Sequence, residues 1–183
     1  MNENNCGKID SMDKHVWFEN IMDVFGEKLT KMAYTYLKDW KLAEDVVQEV
    51  FIICYRQYDS LASITSFKSW IYRVTINKSK DVLKSSTIKK VIINPKLFRL
   101  FQAKEPSPEM DYIKRSEEEQ LSLCVLALPL KYREVITLHY YEELPVEEIS
   151  RILGLNRNTI KTRLHRARAK LKHLMERCEK DGE

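Results

Sequence analysis

The sequence predicts an all-α protein built as two small helical bundles joined by a flexible linker, the second bundle carrying a helix-turn-helix. Three observations predict it. Apolar side chains recur three and four residues apart through most of the chain, the period of a helix with one buried face. Glycine and proline are scarce, at four and five in 183 residues, which leaves little of the turn chemistry that β-sandwiches need. Between two such periodic blocks lies an acidic stretch broken by Asn94-Pro95 and by Pro106-Ser107-Pro108. A hydrophobic content of 44% is ample for a packed core in each block, and the length suits one large domain or two small ones.

The first block is placed at residues 14–87. Val16, Phe18, Ile21, Met22 and Phe25 open its apolar stripe, and Leu29, Met32, Ala33, Tyr36 and Leu37 continue it. A second helix is expected from Lys41 to Tyr58, with Val46, Val47, Val50, Phe51, Cys54 and Tyr55 turned inward. Asp59 to Ser66 (DSLASITS) is rich in cap and turn formers and reads as a loop. A third helix, Ser66 to Leu83, buries Trp70, Ile71 and Val74, and its place on that face makes Trp70 a core residue rather than a stacking platform. Residues 88–115 form the linker. Gln102 to Gln120 carries six acids against three bases. That stretch reads either as a solvated tether or as a mimic of nucleic acid inside a basic channel. Val91 to Phe101 (VIINPKLFRLF) is too apolar for a plain tether and reads as a docking segment.

The second block is placed at residues 116–177. Leu121, Val125 and Leu128 mark one helix, and Val135, Ile136 and Leu138 another. Then come Val146, Ile149, Ile152 and Leu153 at helical steps, opened by Pro145, which suits a first helical turn because its missing N–H costs nothing there. Gly154 supplies the left-handed turn that ends such a helix. Leu155 plugs the corner, and Asn156 is a good N-cap for the next helix. Ile160, Leu164, Ala167, Leu171 and Leu174 repeat at steps of four and three, so this last helix has one apolar face. Its other faces carry Arg157, Lys161, Arg163, Arg166, Arg168, Lys170, Lys172 and Arg177 against Glu176 alone, a local charge of +7 in a chain of net +4. A short helix, a glycine turn and a basic second helix form the layout that places a recognition helix in a DNA major groove. Concentrated cations favour a polyanion by counterion release.

Other chemistry finds no support. Cys6, Cys54, Cys124 and Cys178 stand 48, 70 and 54 residues apart, with no CxxC or Cys/His metal spacing, so reduced thiols are expected, Cys54 and Cys124 as small core residues. There is no GxxxxGK[ST], HExxH or GxSxG, hence no expected catalytic residue, metal, cofactor or small-molecule substrate. No apolar run approaches the ~18 residues of a membrane span, and the first residues, MNENNCGKIDSMDK, lack the features of a signal peptide. A cytoplasmic protein is expected.

Three segments resemble one family. LAEDVVQEVF (42–51), FKSWIYRVTINKSKD (67–81) and the stretch from Leu128 to Leu171 match, in order and spacing, the extracytoplasmic-function sigma factors of the bacterial sigma-70 family. The resemblance covers about Phe18 to Leu174. It implies that residues 14–87 are sigma domain two and residues 116–177 sigma domain four. It implies a non-enzymatic factor that binds RNA polymerase core, at the β′ clamp helices and the β flap, and directs it to promoter DNA through −10 and −35 elements. An anti-sigma factor, often membrane-bound, commonly restrains members of the family.

The residues supply matching physics. Glu44, Asp45, Gln48 and Glu49 lie on the polar side of an otherwise apolar helix, with Asp45 and Glu49 one turn apart. Acids repel phosphate, so this face is either an ordinary solvated one or a dock for a basic protein surface; the resemblance makes it the polymerase contact. Single-stranded bases are held by aromatic rings and cations. Arg56, Tyr58, Phe67, Lys68, Tyr72, Arg73, Asn77 and Lys80, with Ser60 and Ser63 in the 59–66 loop, supply both, and the resemblance makes them the −10 reader. For the −35 reader, Arg157, Asn158, Lys161 and Thr162 should reach base edges. Asn156 and Thr159 stand beside them, and Arg163, His165, Arg166 and Arg168 suit phosphates. Pro145 departs from the Ser or Thr often found there in the family, removing one hydroxyl cap. A stand-alone dimeric regulator would use the same helix-turn-helix, but it has no need of the 42–51 and 67–81 motifs.

Overall fold

A computed structural model describes residues 13–61, 63–85 and 117–180. The elements are α1 (Lys14–Leu37), α2 (Trp40–Arg56), a single turn α3 (Tyr58–Leu61), α4 (Phe67–Lys84), α5 (Glu117–Ala127), α6 (Leu130–Ile136), a π-helical turn (Thr137–Tyr141), α7 (Val146–Leu153) and α8 (Arg157–Lys180). Every regular element among the described residues is helical. The 88–115 linker, the Val91–Phe101 segment and Cys6 lie outside the described residues.

Capping explains where the first helices begin. The Asp13 carboxylate accepts from His15 N–H at 2.8 Å, Asp39 from Leu42 N–H at 2.9 Å, and the Ser66 hydroxyl from Ser69 N–H at 3.3 Å. Between α1 and α2 the chain reverses at Lys38, which is left-handed (φ 54°) and returns its N–H to Tyr34 at 2.8 Å. Trp17, Ile21, Phe25, Leu29, Met32 and Ala33 run along one face of α1 and are buried against Val46, Val50 and Cys54 of α2 and Phe67, Ile71 and Ile76 of α4. Phe67 sits in an aromatic cluster, with ring centres 5.8 Å from Trp17, 5.7 Å from Phe25 and 5.8 Å from Trp70. Val16 and Met22, expected in the stripe, face outward. The expected 59–66 loop starts as α3, whose Leu61 is a fully buried anchor. Burial pushes the Cys54 thiol up to about 12, so it is an inert core group; Cys124 is buried too.

The second block packs Val125, Leu128, Val135, Ile136 and Leu138 against Ile149, Ile152, Ile160, Leu164 and Ala167. Its expected second helix is broken. After Ile136 the backbone widens into the π turn, closed by Glu142 N–H on Thr137 O at 3.2 Å and followed by Leu144 N–H on Leu138 O at 3.0 Å. Glu143 is left-handed (φ 54°) just beyond it. This irregular backbone, of a kind often found at functional positions, carries the Glu142 side chain inward, where it is 6% exposed.

The two bundles are not apart. α1 packs on α6, α4 packs on α7, and the buried side chains of both blocks form one contiguous cluster. Phe25→Ala is expected to destabilise the first block by about 3–5 kcal/mol, the usual cost of emptying a buried aromatic site; urea unfolding followed by circular dichroism checks this, and a loss under ~1 kcal/mol would contradict the packing.

Candidate nucleic-acid interface and interdomain contact

The helix-turn-helix forms as the residues dictate. Gly154 closes α7 in the left-handed region (φ 66°), where a Cβ would be strained. Leu155 N–H returns to Ser150 O at 3.1 Å, and the Ser150 hydroxyl donates to Leu155 O. Asn156 Oδ1 caps α8 by accepting from Thr159 N–H at 2.7 Å. Pro145 stands one residue before its expected place, as the extended N-cap of α7 rather than inside the first turn. Ile149 and Ile152 are buried in the same cluster as Ile160 and Leu164, which fixes the recognition helix to its scaffold.

That packing turns Asn156, Arg157, Asn158, Lys161, Thr162, His165, Arg166 and Arg168 outward; Thr159 is half-buried. Arg157 lies 3.4 Å from Glu147, and Arg168 donates to the Tyr140 hydroxyl at 2.6 Å. A polar concavity of about 420 Å³ opens at the start of α8, between Lys131 and Tyr132 on one side and Asn156, Asn158, Thr159, Thr162, Arg163 and Arg166 on the other. Lys131, Arg163 and Arg166 line it with no carboxylate among the lining residues; Arg163 is held by Glu134, which leaves Lys131 and Arg166 as the cations suited to a backbone phosphate. Lys131 was not legible as part of this site, since it precedes the recognition helix by 26 residues.

Arg163 departs from the expectation of a phosphate contact. It is three residues from Ile160, so it leans to the buried side of α8 and meets Glu134 Oε1 at 2.7 Å. In the first block, Phe67 and Tyr72 are 5% and 0% exposed and cannot stack on a base in this arrangement. Their period with Ile71 and Ile76 commits Phe67 to the core, and Tyr72 faces the second block. Trp70 is half-buried, stacked on Phe67. Tyr58 is half-buried, edge-on to Trp17 at 5.0 Å. Arg56, Ser60, Ser63 and Asn77 are exposed. On α2, Asp45, Gln48 and Glu49 are exposed and Glu44 is half-buried. Asp45 lies 3.5 Å from Lys41 and Glu49 2.9 Å from Lys78, both loose surface pairs. Ile52, one turn beyond Gln48, adds an exposed apolar side chain to that face, a position that motif and charge do not single out.

Between the blocks lies a polar contact that no local motif signals. Tyr36 donates its hydroxyl to Glu134 Oε2 at 2.8 Å, and Lys80 approaches the same oxygen at 3.7 Å. Tyr72 donates to the Glu142 carboxylate. Lys68 donates to the Glu142 carbonyl at 3.0 Å, Ser69 to Glu148 Oε2 at 2.7 Å, and the Arg73 guanidinium to the Arg151 carbonyl. Thus Lys68, Tyr72, Arg73 and Lys80, all expected at a −10 element, contact the second block in this arrangement. Arg133 is 5% exposed, and its Nε and Nη1 are buried without a hydrogen-bond partner among the described residues. Burial holds its pKa below the usual guanidinium value, and burial together with Arg133 lowers that of Lys38.

Burial, and then the facing carboxylate, raises the ionisation of Tyr36 and of Tyr72 far above the ordinary tyrosine range. A raised folded-state value means that the contact is fully stable below ~10, the unfolded tyrosine pKa, and is lost as pH climbs above it. In an alkaline titration followed by tyrosinate absorbance, Tyr36→Phe with Tyr72→Phe should remove amplitude only from the high-pH phase that accompanies unfolding. Amplitude lost near the ordinary range would contradict the buried contact.

Comparison with known proteins accords with this geometry. Residues 22–87 match the Sigma-70 region 2 family, and residues 118–171 match Sigma-70, region 4. The chain is 30% identical over 162 residues to the ECF RNA polymerase sigma factor SigW of Bacillus subtilis, covering 85% of this chain and 87% of that one. It is 31% identical over 137 residues to SigV of the same organism, covering 75% and 78%. Two solved structures share the fold. CnrH in complex with the cytosolic domain of CnrY superposes with a TM-score of 0.63 at 20% identity, covering 96% of this chain and 98% of that one. RpoE in complex with the anti-sigma factor NepR, from Bartonella quintana, gives 0.62 at 21%, covering 87% and 96%. The chain belongs to the extracytoplasmic-function sigma factors of the sigma-70 family.

Proposed function

We propose that this alternative sigma factor divides promoter recognition between its two blocks, residues 14–87 acting at a −10 element and residues 116–177 at a −35 element, with 88–115 as the connecting linker. The observation that carries the reading is the separation of two exposed faces of opposite charge. An acidic face on α2 (Asp45, Gln48 and Glu49, with Glu44 beside them) and a basic face on α8 lie on different blocks. The first suits a basic protein surface, which we assign to the clamp helices of the polymerase β′ subunit. The second suits DNA, with Arg157, Asn158, Lys161 and Thr162 at base edges and Arg166 and Arg168 toward phosphate. The exposed Arg56, Ser60, Ser63 and Asn77 form the −10 surface, and Lys68, Arg73 and Lys80 join it when the blocks part.

No helix among the described residues is long and apolar enough to cross a membrane, and we place the protein in the cytoplasm, acting without cofactor or catalysis of its own. CnrH was solved in complex with the cytosolic domain of CnrY, and RpoE with the anti-sigma factor NepR; we propose that an anti-sigma factor holds this chain too. Purified protein added to core polymerase should create new transcript start sites; unchanged start sites would overturn the reading. Asp45→Arg with Glu49→Arg should weaken core binding at least tenfold while leaving the fold intact, since both side chains are exposed. Lys161→Ala should lower output from a −35-dependent promoter several-fold. Core binding that survives the double charge reversal would show that the docking face lies elsewhere.

A further inference from the structure

In a helix-turn-helix the helix before the recognition helix crosses the DNA backbone, and the free N–H groups at a helix start are natural phosphate donors. That device is closed in this chain. The N-cap of α7 is Pro145, which has no N–H and makes no side-chain cap bond. Glu147 and Glu148 follow in the first turn, so carboxylates stand where a phosphate would come. Glu147 also lies 3.4 Å from Arg157, the first cation of α8, and offsets its charge. The edge of the recognition helix toward α7 is therefore poor in net positive charge.

The concavity at the start of α8 is built differently. No α7 residue lines it, and its far wall comes from α6. Lys131, the second residue of α6, faces Asn158, Thr162 and Arg166 across a volume of about 420 Å³. Those three stand four residues apart and form one exposed row along α8. Lys131 thus reaches the base-reading surface from a separate helix. Its ammonium rests 5.1 Å from the centre of the Tyr132 ring, and Tyr132 is buried, so the core positions a side chain that would otherwise swing freely. We infer that Lys131 and Arg166 form a seat for one phosphate of the duplex read by α8, so that this chain grips the DNA backbone from the α6 side and not from the start of α7. Lys131 is then a positioning residue. It reads no base, and it sets the depth and angle at which the row from Asn158 to Arg166 enters the groove. Because its two cations come from different helices, the seat also fixes the rotation of α8 about its own axis.

The inference rests on the −35 reading of α8 proposed above, and the salt dependence of DNA affinity tests the two separately. The full chain is titrated onto two fluorescein-labelled duplexes of unrelated sequence, and log affinity is plotted against log salt. Loss of one phosphate contact lowers the magnitude of that slope by ~0.9 and weakens binding alike on every sequence. Lys131→Ala should show that loss on both duplexes, with affinity lower by about threefold or more at moderate salt. Lys131→Arg should restore slope and affinity. Lys31→Ala, which removes an equal charge from an exposed α1 pair with Glu27, should change neither. A slope for Lys131→Ala equal to the native one overturns the seat. So does a loss confined to one sequence, which would make Lys131 a base reader, and so does a Lys131→Arg chain as weak as Lys131→Ala. A native chain whose affinity ignores salt would overturn the −35 reading of α8 together with the seat.

Discussion

A single buried carboxylate organises this molecule. Glu134 sits in a helix whose neighbours Tyr132, Val135 and Ile136 are buried, and it is met by groups from three other helices: Tyr36 of α1, Lys80 of α4 and Arg163 of α8. A buried anion is tolerated only when its oxygens are hydrogen-bonded and its charge is balanced. The neighbouring elements therefore cannot move independently. The pair with Arg163 stays within the second block and orients the recognition helix on α6. The bond from Tyr36 and the approach of Lys80 cross to the first block. One residue thus links the placement of α8 to the packing of α1 and α4.

This constraint assigns different roles to cations that look alike in the sequence. Arg157, Lys161, Arg166 and Arg168 remain on an open face, where counterion release can drive DNA binding. Arg163 is a structural cation. Lys68, Arg73 and Lys80 are in contact with the second block. The acidic face of α2 pairs only loosely, with Lys41 and Lys78 of its own block.

Much of this was legible because it is local. The glycine turn at Gly154, the Asn156 cap and the stripe from Ile160 to Ala167 depend on residues a few positions apart, and sequence periodicity reads them directly. The acidic face of α2 follows from one amphipathic helix. Phe67 has the chemistry of a base-stacking ring, but its spacing from Ile71 and Ile76 puts it in the core, where it is buried. The interdomain contact left no such trace. Tyr36 and Glu134 are 98 residues apart, and Tyr72 and Glu142 are 70 apart. The one hint was a carboxylate standing between Arg133 and an apolar run, which helical periodicity treats as noise. The π turn was hidden for a related reason: its side chains keep nearly the helical rhythm while the backbone widens.

The Tyr36–Glu134 bond can be measured directly by a double-mutant cycle. Urea unfolding of the native chain, Tyr36→Phe, Glu134→Gln and the pair together gives the coupling between the two groups. A buried hydrogen bond to a charged carboxylate should yield a coupling of about 1.5–3 kcal/mol. Effects that simply add, within ~0.5 kcal/mol, would mean that the two side chains do not meet in solution and that the blocks are not held together through Glu134.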